Sequence, residues 1–369
     1  MKKLLIIVIF PVVLLCGCGA INSNFREVEH LLVIQTMGID KGENGVAVSL
    51  ASAADKTRGP VRLSAEGESV TSAIDRIERR AFEEELFCAH INHILIGEDE
   101  ARDGIDEILQ YICRSPDIRI DVPLYIVQGG TAGELVTGVG DQSVGASEIL
   151  DGIQVNLDGR DDCRSFTASE VARSLARHGS ALICAVSYTE SAEDGENESR
   201  TAEVTGYGVI RNGALCAFLD RDQAIGTGFL LNDVGVSDIS LNSTAEKPIS
   251  VEIDRGSSEI TPVMDDSGAL TGLDIFVHVG ASVVETAGDA AGEDYITARL
   301  EAAISERIRS VLLTAKELGS DFLGLGSYVE RAMPDEYAAL GDFGALLPDL
   351  EIRLHVSGSL NHTNDLKGV

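Results

Sequence analysis

The chain has 369 residues, of which 44% are hydrophobic and 24% charged, a globular composition with room for two or three cored domains. Asp and Glu number 60 against 29 Lys and Arg, a formal net charge of −31. So acidic a surface is repelled by phosphate backbones and anionic lipid headgroups, which argues against nucleic acid as a partner.

Met1-Lys2-Lys3 is a basic start, and Leu4 to Leu15 is apolar apart from Pro11. That stretch is short of the roughly 20 residues a bilayer span needs. Gly17 stands immediately before Cys18, with Leu15 three places before it. A short basic-apolar leader ending in a small residue and a cysteine is the pattern of a bacterial lipoprotein signal. The reading predicts a signal peptide over 1–17, a diacylglyceryl group on the sulfur of Cys18, and a tether over 18–30. The mature chain would then have 369 − 17 = 352 residues.

Leu31 to Leu50 reads as a β-hairpin turning at Gly42–Gly45. Ser69 to Glu85 reads as a helix, with Val70, Ile74, Ile77 and Ala81 at helical spacing. A strand over His90–Gly97, a helix over Ala101–Cys113 and a strand over Ile118–Val127 follow. Thr131 to Val136 opens a short helix, and 138–165 is rich in Gly and Asp with little pattern. A helix over Thr167–Arg177 carries a capping-box pair, Thr167 and Glu170. Ala181 to Tyr188 is a strand, and the acidic run Glu190–Ser199 reads as a loop or linker.

Beyond it, Glu203–Ile210 and Ala214–Leu219 flank Arg211-Asn212-Gly213, a hairpin signal. Asp220–Gly228 is a short helix or turn, and strands follow at Ile249–Ile253, Ile260–Met264 and Leu270–Val284. Glu293 to Leu318 is the longest helix. Its stripe of Ile296, Leu300, Ala303, Ile304, Ile308, Val311, Leu312, Ala315 and Leu318 is expected to lie on a sheet. Leu350 to Val356 alternates as a final strand.

The expected fold class is α+β and multi-domain, with mixed and antiparallel sheets each covered by helices. The expected division is an N-terminal α+β region over 31–190, with 31–137 and 138–190 as candidate subdomains, a linker over 191–202, and a C-terminal α+β domain over 203–369. With Cys16 in the signal and Cys18 on lipid, Cys88, Cys113, Cys163, Cys184 and Cys216 remain. Their odd number and the absence of a CxxC argue against a disulfide framework. Cys113, Cys184 and Cys216 sit in apolar or alternating patterns and read as buried thiols.

Three segments together carry a resemblance to a known lipoprotein family. Arg26-Glu27-Val28-Glu29 leads into Val33 to Lys41 with its Gly38-Ile39-Asp40. Phe87 to Glu98 is similar to the family's histidine, apolar strand and Gly-Glu run, with His90 at the histidine position. Asp321 to Gly326, then Ala332-Met333-Pro334, then Glu351 to Gly358 resemble its closing segments. In this order the segments resemble the C subunit of spore germinant receptors, the Ger(x)C (GerAC-like) lipoprotein family. One departure stands out: the family usually places Trp-Asp after the lipidated cysteine, whereas Gly19-Ala20-Ile21-Asn22 follows Cys18 and the chain has no Trp. The resemblance implies a non-enzymatic subunit of a nutrient germinant receptor, with membrane-embedded A and B subunits as partners. It places the chain on the outer face of the spore inner membrane, held there by Cys18.

No catalytic constellation emerges from the residues themselves. His90 and His93 are three apart on an expected strand and face opposite sides, which argues against a metal pair. Gly226-x-Gly228 and Gly324-x-Gly326 are too short for phosphate-loop fingerprints. Asp265-Asp266-Ser267-Gly268 reads as a hairpin turn rather than a Ca²⁺ loop. No cofactor, metal or catalytic residue is expected. The alternative from another class is a lipid-anchored solute-binding protein of a transporter, which would show two α/β lobes around a cleft.

Overall fold

The computed structural model describes residues 31–53, 59–81, 85–138, 146–159, 163–191, 199–241, 249–285 and 292–363. The signal peptide 1–17, Cys18 and the tether 18–30 lie outside the described residues.

Ten strands make one large mixed sheet. They are β1 (Leu31–Gly42), β2 (Gly45–Ser52), β3 (Arg62–Gly67), β4 (Glu85–Phe87), β5 (His93–Gly97), β6 (Pro123–Val127), β7 (Phe166–Thr167), β8 (Ser180–Ser191), β9 (Ser199–Arg211) and β10 (Ala214–Leu219). The order is β10-β9-β8-β6-β5-β1-β2-β3, with β4 beside β1 and β7 beside β6. The middle strands β1, β5, β6 and β8 are parallel, and an antiparallel meander flanks them on each side. A smaller sheet of β11 (Ser237–Leu241), β12 (Ile249–Met264), β13 (Leu270–Glu285) and β14 (Glu351–Thr363) follows.

The central strands β5 and β6 are buried at every position, as parallel strands covered on both faces must be. One face of the large sheet packs on α1 (Val70–Arg80), with α2 (Glu98–Asp103) and α3 (Asp106–Arg114) next in the chain. Ile74, Ile77, Ile108 and Ile112 lie in that cluster. The other face takes α4 (Ala132–Gly138) and α5 (Ala146–Gly159), while α6 (Ala168–His178) joins the first face through Ala168 and Val171. From Leu95, Tyr125 and Leu182 a single buried cluster runs on into the smaller sheet. There it includes α7 (Arg221–Leu231), α8 (Glu293–Leu318) and β13, through Phe229, Leu300, Ile304 and Ile275. The two sheets thus share a hydrophobic core rather than facing each other across a cleft. The α+β class with helix-covered mixed sheets is the observed one.

Several expected boundaries move, each for a local reason. The helix expected over Ser69–Glu85 stops at Arg80, and Glu85–Phe87 pairs with β1 as strand. The helix expected over Ala101–Cys113 is two helices, broken at Gly104, whose φ of 143° no helix admits. The strand expected from Ile118 begins only at Pro123. Helix α5 rises from the weakly patterned stretch 138–165 and buries Ala146, Leu150 and Ile153. The two strands expected at Ile249–Ile253 and Ile260–Met264 are one 16-residue strand, and its partner β13 runs parallel to β14 rather than completing an antiparallel sheet.

Within the expected linker 191–202, Ser191 ends β8 and Ser199 opens β9. Ser191 pairs with Ser199, and residues 192–198 lie outside the described residues. Strands β9 and β10 complete the large sheet, so sheet membership changes after Leu219. Of the cysteines expected to be buried, Cys184 is, but Cys113 and Cys216 are exposed; Cys113 follows Ile112 on α3 and so faces away from the core. The five cysteines of the described residues form no disulfide.

Candidate functional site

In open sheets, the crevice beyond the carboxyl ends of parallel strands is where ligands dock. Here the chain's own segment 128–134 fills that place. Asp40, near the end of β1, turns its carboxylate onto the start of α4. Its Oδ1 accepts the Ala132 amide at 2.6 Å and its Oδ2 the Gly133 amide at 2.7 Å. These are amides that the first turn of any helix leaves without an intrahelical partner.

Two glycines make room for this clasp. A Cβ on Gly97 would stand 2.1 Å from Asp40 Oδ1, and one on Gly38 would stand 3.1 Å from Ala132. Next door, Glu98 Oε2 accepts the Gly129 amide at 2.8 Å while its Oε1 takes Arg102 at 2.7 Å. Tyr188 donates to Glu134 Oε2 at 2.6 Å, tying β8 to the same segment. Burial lifts the Asp40 carboxyl above its ordinary range despite the two amides. Burial opposes ionisation of Glu98 too, yet the Gly129 amide and Arg102 hold that group below its ordinary range. The Gly38-Ile39-Asp40 and Gly97-Glu98 runs therefore converge on one structural task, holding the β6–α4 connection.

His90 and His93 do not come together. His90 is exposed on the turn Cys88–His90, and His93 is fully buried, with Nε2 2.8 Å from Asp151 Oδ1 of α5. Burial pushes the His93 imidazole down, against the pull of Asp151. Asp265 Oδ1 accepts from Ser267 and Ala269 within its own turn, as the hairpin reading expects.

The third family-like run, Asp321 to Gly326, lies at the junction of the two sheets. Asp321 is 1% exposed. Its Oδ1 accepts the Leu325 amide at 2.7 Å and its Oδ2 the Gly326 amide at 2.9 Å, at the start of α9 (Gly326–Ala332). Burial pushes its carboxyl up to about 7. Across the junction, His178 Nδ1 stands 3.6 Å from Asp321 Oδ2, beyond hydrogen-bond reach, and its Nε2 is 3.3 Å from Ser327 Oγ. Burial and then Arg177 push the His178 imidazole down.

These groups border a cavity of about 240 Å³ lined from both sides of the junction. Arg177, His178 and Arg211 come from the large sheet and its helix, and Ser320, Asp321 and Asp342 from the segments after α8. Glu330 pairs with Arg177, and Arg211 donates to the Leu318 carbonyl. Ser320 Oγ and His178 Nδ1 are buried without a hydrogen-bond partner among the described residues. A larger cleft of about 480 Å³ lies beside Arg299 and Arg307, lined by α7, α8 and Ser240 of β11. Sequence reasoning singled out the run at Asp321 but not Arg177, His178, Arg211 or Ser320. These sit more than a hundred residues apart in two groups, and only the fold joins them.

Residues 24–187 match the family described as "Spore germination protein N-terminal domain", and residues 205–364 match "Spore germination B3/ GerAC like, C-terminal". No curated protein matches the chain in sequence. A solved structure, "Crystal Structure of the GerBC protein", has a similar fold: TM-score 0.58 over 88% of this chain and 97% of that one, at 16% identity. With the two family matches spanning most of its length in the expected order, the chain belongs to the GerAC-like family of spore germination proteins.

Proposed function

We propose that this chain is a lipid-anchored, non-enzymatic subunit of a nutrient germinant receptor that helps trigger spore germination. It is held through Cys18 at the outer face of the spore inner membrane, beside membrane-embedded A and B subunits. The observation that carries the reading is family membership along both halves of the chain. The described residues add support: no helix among them is long and apolar enough to cross a membrane, so an anchor of another kind suits a membrane assignment. The carboxylates of the family-like runs, Asp40, Glu98 and Asp321, accept backbone amides, which suits a structural role for these runs.

Tethering makes weak contacts sufficient, because it raises the effective concentration of the domain near its membrane partners. One acyl chain holds only marginally, and the two of a diacylglyceryl group hold stably. The test is mass spectrometry of the membrane fraction together with a Cys18→Ala variant. Wild type should carry a diacylglyceryl mass on an N-terminal Cys18 and co-purify with two polytopic subunits. The variant should remain an unprocessed precursor, and its spores should respond poorly to nutrients. An unmodified Cys18 would end the lipid reading, and turnover of an ester, peptide or glycan by the pure protein would end the non-enzymatic one.

A further inference from the structure

A groove of about 400 Å³ lies on the α1 face of the large sheet, where α3 passes the start of α1 and the first residues of β2. That volume is within the roughly 300–1,000 Å³ of ordinary ligand pockets. Val46, Val70, Ile108 and Tyr111 give the groove an apolar wall.

Beside this wall the fold sets a carboxylate. Glu100 of α2 lines the groove and is only 9% exposed, yet its side chain makes no hydrogen bond or ion pair among the described residues. Its oxygens are not sealed off as Ser320 Oγ and His178 Nδ1 are, and the little surface they keep opens onto the groove. Burial first, then Asp103 and Asp40, push its carboxyl above the ordinary range. Lys41 pulls the other way, but that ammonium already pairs with Asp103. A buried carboxylate in this state costs stability, and a cation placed in the groove removes the cost. Glu107, at the start of α3, lines the same groove and is also without an ion pair among the described residues.

Arg114 lines the groove seven residues further along α3, about 10 Å from Glu107 at 1.5 Å per residue. The groove therefore runs from acidic through apolar to basic. Three residues of extended chain cover the same distance of about 10 Å. A cation, an apolar side chain and an acceptor spaced this way describe a peptide segment better than a compact solute or a metal ion. Among the described residues no three His, Cys, Asp or Glu gather as metal ligands.

The chain's own tether does not reach the groove. Val46 pairs with Lys41, and β1 covers about 33 Å between Leu31 and Lys41. Arg26, the only Lys or Arg in 18–30, is five residues before Leu31, a reach of roughly 17 Å. A second copy, itself at −31, would be repelled.

We propose that this groove docks an extended segment of a partner protein that carries an arginine. The guanidinium meets Glu100 and Glu107, a nearby apolar side chain packs on Val46, Val70 and Ile108, and an acceptor of the segment meets Arg114. Arginine suits the site because its head is planar, weakly hydrated and able to grip a carboxylate with two N–H groups, and Tyr111 adds an aromatic ring for it to stack on. This inference does not depend on the lipid anchor.

The test is calorimetric titration of the full-length chain in detergent with the blocked peptide acetyl-Arg-Gly-Leu-Glu-amide. The same peptide with citrulline, the neutral isostere of arginine, is the control. The arginine peptide should saturate with a dissociation constant below about 5 mM, and the citrulline peptide should bind at least about tenfold more weakly. Glu100→Gln should weaken the arginine peptide about tenfold or more, and Glu107→Gln about threefold. Because Glu100→Gln removes an uncompensated buried charge, its melting midpoint without peptide should be no lower than that of wild type. The proposal is overturned if the arginine peptide does not saturate, if the citrulline peptide binds as tightly, or if Glu100→Gln binds like wild type. It is overturned equally if Glu100→Gln melts lower, since the carboxylate then serves the fold. A wild-type dimer in sedimentation that Glu100→Gln dissociates would give the groove to a second copy instead.

Discussion

Asp40 and Ala132 are 92 residues apart in sequence, yet the carboxylate of one accepts the amide of the other at 2.6 Å, and the adjacent Gly133 amide at 2.7 Å. The pair joins the end of a central strand to the start of the helix that closes the sheet. Asp40→Ala leaves two amides unpaired where the side chain was 8% exposed. The loss of a charged cap should cost about 2–3 kcal/mol. Asp40→Asn should cost nearly as much, because its amide group would point an N–H at one of the two donors. Urea melts with an unchanged m-value check this, and an Asn variant as stable as wild type would show that only one amide is held.

Gly97 makes a sharper test of the same clasp. A Cβ there would lie 2.1 Å from Asp40 Oδ1, a distance no structure keeps. Gly97→Ala should therefore destabilise by about 1–3 kcal/mol, the usual cost of overpacking. In an Asp40→Ala background the obstructing oxygen is gone, so the same substitution should cost far less. A coupling energy of more than about 1 kcal/mol in the double-mutant cycle is expected. Additive costs would mean that the glycine serves some other purpose.

These two residues also mark how far the sequence could be read. Gly38-Ile39-Asp40 and Gly97-Glu98 stood out as runs, and helices such as α6 and α8 were legible from capping and periodicity because those signals are local. Nothing in either run names Ala132 or Gly129 as its partner, because a side chain-to-amide bond across ninety residues leaves no periodic trace. For the same reason β9 and β10 were legible as a hairpin but not as members of the first sheet. Helix α5 was hidden by its glycines and by a short apolar face. The junction cavity was the least legible feature. Its walls are helix ends, where periodicity stops, brought together from two segments by the packing of the sheets.

Asp321 predicts a pH effect. Its folded carboxyl titrates at about 7 against an ordinary 3.8, because burial disfavours the charge. The folded state thus binds the proton more tightly than the unfolded chain. Its contribution is fully present below about pH 4 and is lost as pH rises towards 7, at up to about 1.4 kcal/mol per pH unit. Asp40 and Glu100, also raised by burial, act in the same direction. His93 and His178, lowered by burial, act in the opposite one, losing stability as pH falls through 6.5. The difference between wild type and Asp321→Asn isolates the single group. The variant should be most costly at about pH 4 and below and steadily less so towards pH 7, over a constant offset for the Leu325 and Gly326 amides it serves less well. Parallel stability curves for the two proteins would place the Asp321 titration near its ordinary value.

Leu312 and Leu313 are neighbours on α8 with opposite surroundings, 5% and 56% exposed. A helix that packs one face on a sheet must do this, since successive side chains are set about 100° apart at 3.6 residues per turn. Ile296, Leu300, Ile304, Ile308, Val311, Leu312 and Ala315 are the buried line, while Ala303 and Leu318 are only partly covered. Leu312→Ala should lower stability by about 2–5 kcal/mol, the range for a truncated core leucine. Leu313→Ala should stay within about 0.5 kcal/mol. If Leu313 belongs to a docking surface, its truncation should weaken co-purification with the membrane subunits while leaving the melting midpoint in place. Denaturant melts of the two variants separate these outcomes. An unchanged midpoint for Leu312→Ala would mean that the stripe is not core, and the partner-binding face should then be sought on this helix.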